Sequence, residues 1–374
     1  MSYNKTIFIA FTLNTSAIAD YYRALTNAFV ERGYQVVIIT DGQRTHKASE
    51  DTNPAIHTWP SKRPTKLTDA RFLMNLIKRY KPVLVFSNFG ADNISMIVSW
   101  LLRVPLRFVT YHTMLDPENE RKPNKVEIFL QILRKRFVFR LITMVLPVAD
   151  ALKSELSTVF CVPEERMQVF YNTLAARPDL FKKELKSTTQ LISAGGLCLG
   201  KGHDILINAM ATVTKEYPQV KLTIYGEGRE RPKLEGMIDK LKLQHNMELT
   251  GLVSHETVMK AISNAYALIH PSRYEAFPYS VLEALSVGTP IVASAVGGIP
   301  EIIRDGTDGF LVPPGDPFIL AERICLLLSS TKLRNSMGQS CHTRFEETFE
   351  LNLAIQNQVN WFEQKIHRGT LFER

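Results

Sequence analysis

The sequence of 374 residues predicts an α/β fold made of two doubly wound parallel-sheet domains. Three observations carry this expectation. Short, almost wholly apolar runs recur along the chain, as strands covered on both faces of a sheet require. Between them lie stretches with apolar residues at helical spacing. After a polar, lysine-rich stretch at 175–190, which reads as a linker, the same alternation starts again. The divisions expected are 1–178 for a first domain and 187–350 for a second.

In the first half, Thr6 to Phe11 is the opening strand. Leu13-Asn14-Thr15-Ser16 reads as a loop with a helix cap, and a helix follows to about Glu31, with Gly33 as its stop. Val36 to Thr40, Val83 to Ser87 and Arg107 to Tyr111 are further strands, and Gln168 to Tyr171 is strand-like. Residues 43–66 are polar and proline-containing, without a period, and read as a long loop. From Lys125 to Pro147, the residues Val126, Phe129, Leu130, Leu133, Phe137 and Leu141 recur at helical spacing. Seven basic residues and one acid, Glu127, lie between Arg121 and Arg140. Two readings stay open for this stretch. It is a basic amphipathic surface resting on an anionic membrane, or a core-facing helix with a solvated basic side.

In the second half, strands are expected at Leu191 to Ala194, Lys221 to Tyr225, Met247 to Thr250, Ala265 to His270 and Pro290 to Ala293. Helices are expected at about Pro317 to Ser329 and Asn352 to Lys365.

The composition is that of an ordinary water-soluble protein, and no apolar run is long and uncharged enough to span a bilayer. The first residues lead straight into a strand-like run, so no secretory signal is expected. The four cysteines, Cys161, Cys198, Cys325 and Cys341, are widely spaced, which fits reduced thiols in a cytoplasmic protein. Charge is uneven. Residues 1–185 hold 26 Lys+Arg against 17 Asp+Glu, a balance of +9; residues 186–374 hold 19 against 20, a balance of −1. A basic half beside a neutral one implies an anionic partner for the first half.

The chemistry concentrates in Arg273-Tyr274-Glu275-Ala276-Phe277-Pro278-Tyr279-Ser280-Val281-Leu282-Glu283. An apolar strand leads into it and a helix follows, which puts Glu275 and Glu283 at the carboxyl end of a strand, where open α/β sheets bind ligands. Ser280 and Glu283 also have capping-box spacing, which would give Glu283 a structural role. Gly195-Gly196-Leu197-Cys198-Leu199-Gly200-Lys201-Gly202 follows a strand and precedes a helix. It is a plain tight turn or a loop whose backbone N–H groups and Lys201 meet a phosphate. It is not a P-loop, because Gly202 stands where that motif has Ser or Thr. Tyr225-Gly226-Glu227-Gly228 has the same placement. His112 follows the strand Arg107 to Tyr111. No H-E-x-x-H, G-x-S-x-G or kinase string occurs.

The order and spacing of these pieces resemble the family-four retaining glycosyltransferases of GT-B fold. Glu275 and Glu283 match that family's E-x7-E signature. The likeness continues through Gly288-Thr289-Pro290, Gly297-Gly298-Ile299-Pro300-Glu301 and Asp305 to Asp316. It covers the second half of the chain well and the first half loosely. The resemblance implies two Rossmann-like domains with a cleft between them and a last helix, 351–374, crossing back to the first. It implies transfer of a sugar from a nucleotide diphosphate, with glucose and UDP as the first expectation, with retained configuration and without a metal or other cofactor. Glu275, Lys201 and His112 then take catalytic roles. Glu283 takes the ribose, and Gly196, Gly226, Val253, Phe277, Pro278, Tyr279, Ser280, Val281 and Leu282 form the donor site, much of it through backbone. The family's diphosphate loop carries an Arg where this chain has Gly196; Arg229, Arg231 and Arg273 are candidates to replace it. The basic first half suits a glycan or lipid-linked glycan acceptor at the inner membrane face, in cell-surface polysaccharide synthesis, with no nucleic-acid partner. Two other readings remain open at this stage: a sugar-nucleotide epimerase on the same fold, and a non-catalytic nucleic-acid or phosphate-binding α/β protein.

Overall fold

A computed structural model describes residues 5–13, 16–41, 52–114, 124–181 and 189–371. They divide into two compact units. The first holds the described residues through His112, those at 124–173 and those from Leu351 onward; the second holds Leu174 to Glu350 with Thr113 and Met114.

The first unit is a six-stranded sheet in the order β3-β2-β1-β4-β5-β6, parallel throughout. Its strands are β1 (Thr6–Ala10), β2 (Gln35–Thr40), β3 (Ala55–Thr58), β4 (Leu84–Ser87), β5 (Leu106–Tyr111) and β6 (Met144–Pro147). The helices are α1 (Ala17–Glu31), α2 (Leu67–Tyr80), α3 (Asp92–Leu101), α4 (Lys125–Leu141) and α5 (Ala151–Thr158). Ser16 caps α1 by accepting from the Ala19 N–H, and Gly33 takes φ +81° just past its end.

The second unit repeats the plan in the order β12-β11-β10-β7-β8-β9. Its strands are β7 (Gln190–Ala194), β8 (Lys221–Tyr225), β9 (Met247–Gly251), β10 (Ala267–His270), β11 (Ile291–Ser294) and β12 (Gly309–Val312). Its helices are α6 (His203–Glu216), α7 (Arg231–Lys240), α8 (His255–Asn264), α9 (Tyr279–Ser286), α10 (Ile299–Ile302), α11 (Pro317–Leu328) and α12 (Thr331–Thr348). The last helix, α13 (Leu351–Leu371), returns to the first unit. There Leu351, Ile355, Val359, Phe362 and Ile366 enter the core, with Phe362 5.5 Å from Phe29 between ring centroids.

Two six-stranded parallel sheets with flanking helices are the α/β plan read from the sequence. Several local expectations change. Residues 43–66 are not all loop, since β3 pairs in parallel with β2 at the sheet edge; residues 42–51 lie outside the described set. The strand-like Gln168 to Tyr171 runs beside β6 through Gln168 N–H to Val145 and Phe170 N–H to Pro147, without becoming a strand. Of the linker, 182–188 lie outside the described set, as do Asn14, Thr15, Arg121 and Lys122. In α4, Val126, Phe129, Leu130, Leu133 and Phe137 are exposed, while Val138, Phe139 and Leu141 are buried. The core-facing reading therefore fails for most of its apolar residues. Among the described residues, no helix is long and apolar enough to cross a membrane.

Candidate active site

Both sheets reverse strand order at one place: between β1 and β4 in the first unit, and between β7 and β10 in the second. Loops leaving adjacent strands there diverge to opposite faces, which opens a crevice at the carboxyl ends. In the second unit, the loop after β7 carries Lys201 and the loop after β10 carries Glu275.

The backbone holds these loops together. Arg273 N–H donates to Gly200 O at 2.8 Å, and the Arg273 guanidinium donates to Leu199 O and, as a fork, to both carboxylate oxygens of Asp204 at 2.8 Å. Gly202, the N-cap of α6, sits at φ +66°, and a Cβ there would lie 2.0 Å from Pro271 O. Only glycine permits that approach. The Lys201 stem runs past Gly195, its carbons 3.5 Å from where a Cβ would be.

Lys201 Nζ makes a direct ion pair with Glu275 Oε1. The same oxygen accepts from Ser272 Oγ and His270 Nε2, each at 2.9 Å. Ser280 Oγ, in the first turn of α9, lies 3.3 Å from His270 Nδ1. Burial pushes the Glu275 carboxyl up, but the His270 hydrogen bond and charge and the Lys201 ammonium outweigh it, leaving it at about 2. Glu275 is thus a fixed anion at working pH, and Lys201 is its counter-cation.

Glu283 does not cap α9. That helix starts at Tyr279 with Pro278 as N-cap and no side-chain cap bond, so Ser280 is already inside it. The Glu283 carboxylate instead meets His255 Nε2 at 2.7 Å. That bond raises the His255 pKa against the opposing effect of partial burial. Phe277, Val281 and Leu282 turn their side chains into the core, and Phe277 packs against Phe349. Phe277 and Val281 can serve a ligand only through backbone N–H groups, and the Leu282 N–H is already spent on Pro278 O at 3.4 Å. Tyr279 and Ser280 are half-buried and Pro278 is buried.

A pocket of about 220 Å³ is lined by Ala194, Gly195, Gly196, Tyr225, Gly226, Glu227, Gly251, Leu252, Val253 and Val258, with the Lys201 stem passing Gly195. This is room for one ring system rather than a whole nucleotide sugar. It brings Gly196, Gly226 and Val253 together. The N–H groups of Gly195 and Leu197 are spent inside the protein, on Tyr225 O at 2.9 Å and Glu227 O at 3.0 Å. The glycine loop therefore does not offer a full cradle of amides. Two arginines considered for the Gly196 gap are engaged elsewhere. Arg273 is held by Asp204, and Arg231 by Glu227 and Glu235 at 2.9 Å. Arg229 is exposed on the loop after β8.

His112 lies in the first unit, just past β5, where burial lowers its pKa to about 4 and keeps the ring neutral. Sequence reasoning missed His270, Ser272 and His255. The signal for the first two was present: a histidine ending a buried strand, five residues before the glutamate. Among the described residues, no group of three or more His, Cys, Asp or Glu is arranged to hold a metal ion.

Comparison with known proteins bears on the family and the fold. The profile described as "Glycosyltransferase Family 4" matches residues 18–174, and that described as "Glycosyl transferases group 1" matches 177–343. The chain is 30% identical over 217 residues to an alpha-D-kanosaminyltransferase of Streptomyces kanamyceticus, covering 55% of this chain and 56% of that one. It is 24% identical over 346 residues to an Escherichia coli glycosyltransferase provisionally assigned to colanic acid biosynthesis, WcaL, covering 79% and 84%. The chain spans a little over half the length of the first curated relatives it matches. The fold superposes on Anabaena HepE, solved in complex with UDP-glucose, with a TM-score of 0.75 at 17% identity, covering 96% of this chain and 99% of that one. Two parallel sheets of one plan, and two profiles that together run from residue 18 to 343, lead to one conclusion: the chain belongs to the family-four glycosyltransferases of GT-B fold.

Proposed function

We propose that this glycosyltransferase moves glucose from UDP-glucose to a hydroxyl of a glycan or lipid-linked glycan, with retention of configuration. The observation that carries the reading is the Lys201–Glu275 pair beside the start of α9, at the reversal point of the second sheet. An ammonium and the amino end of a helix are what a departing diphosphate needs. The donor follows from the likeness to HepE, whose structure holds UDP-glucose. The acceptor class follows from the likeness to WcaL and from the basic first half of the chain.

In this reading the uracil enters the pocket lined by Gly196, Gly226 and Val253, and Glu283 takes the ribose hydroxyls. The diphosphate meets the backbone at Tyr279 to Val281 and Lys201, which turns from Glu275 toward the developing charge. Glu275 then accepts hydrogen bonds from the sugar hydroxyls, held in place by His270 and Ser272. The acceptor oxygen bonds to the anomeric carbon as the bond to the phosphate oxygen breaks, on the same face. The acceptor proton passes to the released diphosphate. Lysine and helix perform the charge neutralisation that a divalent metal would otherwise supply, so chelator should leave turnover unchanged.

The test is turnover of UDP-glucose with lipid-linked acceptor. Lys201→Ala and Glu275→Gln should each lower kcat by about 100- to 1000-fold, with unchanged circular dichroism. Near-normal turnover in both variants sinks the site assignment. UDP release without glycosylated product argues against the transfer.

A further inference from the structure

The first unit carries an apolar surface that its own core does not use. At about 100° per residue, Val126, Phe129, Leu130, Leu133 and Phe137 of α4 fall in one stripe about 100° wide, and each is 53–65% exposed. Toward the C-terminal end, the opposite side of the helix holds it to the unit. Lys135 Nζ lies 5.0 Å over the Phe160 ring, the Phe139 and Phe160 centroids are 5.3 Å apart, and Val138 is buried. The helix is thus apolar on two sides, one packed on the unit near its C-terminal end and the stripe facing outward, where a helix covering a sheet would show water a polar side.

Charge borders the stripe. Arg134 flanks one side and Arg136 the other, where its guanidinium reaches Val159 O at 2.7 Å, and Arg140 is exposed at the end of the helix. The one acid, Glu127, is tied into the N-terminal capping box, accepting from the Asn124 N–H at 3.2 Å. Trp100 and Leu101, at the end of the neighbouring α3, are 48% and 58% exposed.

We propose that α4, with Trp100 and Leu101 beside it, docks on an anionic lipid surface, the stripe entering the headgroup boundary and the arginines meeting lipid phosphates. The charge selects this occupant. A second copy would set arginine against arginine, whereas an anionic bilayer satisfies stripe and arginines together. The inference sharpens the lipid-linked acceptor reading but does not rest on it, because lipid binding requires no sugar.

Co-sedimentation of the full chain tests it, with phosphatidylcholine vesicles that contain or lack a third of phosphatidylglycerol. Binding should require the anionic lipid and weaken as salt rises. Arg134→Gln and Arg140→Gln should each weaken it about fivefold. Phe129→Ser with Leu133→Ser should abolish it while leaving thermal stability and UDP-glucose turnover on a soluble acceptor intact. Equal binding to both vesicle types overturns the proposal, as does absence of binding. So does a dimer in light scattering that Phe129→Ser with Leu133→Ser converts to monomer, since the face would then be a self-interface. Loss of turnover with lipid binding preserved would fault the enzymatic reading alone.

Discussion

Lys201 and Glu275 neutralise each other, and His270 makes that pairing rigid. A histidine 2% exposed, bonded on one side to the carboxylate and on the other to the first turn of α9, fixes where Glu275 points. Replacing His270 by Ala should therefore raise the Glu275 pKa. The sign follows from the carboxyl being depressed from 4.5 to about 2. Its contribution to stability is full above about 4.5 and is lost as pH falls toward about 2. In His270→Ala that contribution should be smaller and its loss complete at higher pH, and the acid limb of kcat/KM should move up with it; an unshifted profile would separate His270 from Glu275. His203 carries a second pH dependence. Burial, with His270 and Lys201 nearby, lowers its pKa from 6.5 to about 4, so the unfolded chain takes up a proton first. Stability tied to His203 should decline from about pH 6.5 to about pH 4, and His203→Gln should flatten the fall in Tm across that window. Of the site, the two glutamates, Lys201 and the glycines were legible because they carry family spacing. His270 and Ser272, only five and three residues before Glu275, carried a local signal that went unread, whereas His255 was not legible, because it meets Glu283 only when α8 and α9 pack together.

At the level of elements, the turn joining β7 to α6 is the least forgiving piece. Gly202→Ala forces a side chain into the left-handed region and against Pro271 O. We expect a loss of about 1–3 kcal/mol in urea unfolding, with Lys201 displaced and UDP affinity reduced; an unchanged midpoint would contradict this geometry. Most strands were legible because parallel strands buried on both faces read as unbroken apolar runs. β3, β6 and β12 were not. Each is four residues long at a sheet edge, too short to show a period. The start of α9 was misplaced because Pro278 occupies the N-cap, a position where a side-chain oxygen is the usual signal. In α4 the apolar spacing was visible, but spacing cannot say which side of a helix meets the protein.

For the whole molecule, the discontinuity of the first unit has consequences. Its core draws Leu351, Ile355, Val359, Phe362 and Ile366 from α13. Burial of five such side chains contributes on the order of 10 kcal/mol, comparable with the entire stability of a domain, about 5–15 kcal/mol. A chain cut after Glu350 should lose the first unit while keeping the second. Limited proteolysis read by mass spectrometry should then erase peptides from 5–173 and spare 190–350. Equal resistance in both regions would show α13 to be dispensable.

The same arrangement imposes an order on synthesis. A nascent chain emerging from the ribosome exposes the first sheet long before the helix that seals it has been translated. The second unit, although made later, has all of its own parts at Glu350 and can finish ahead of its predecessor. The cell must therefore shelter a half-built apolar surface until residues 351–371 have been made, and slowing the ribosome over that stretch should raise dependence on chaperones.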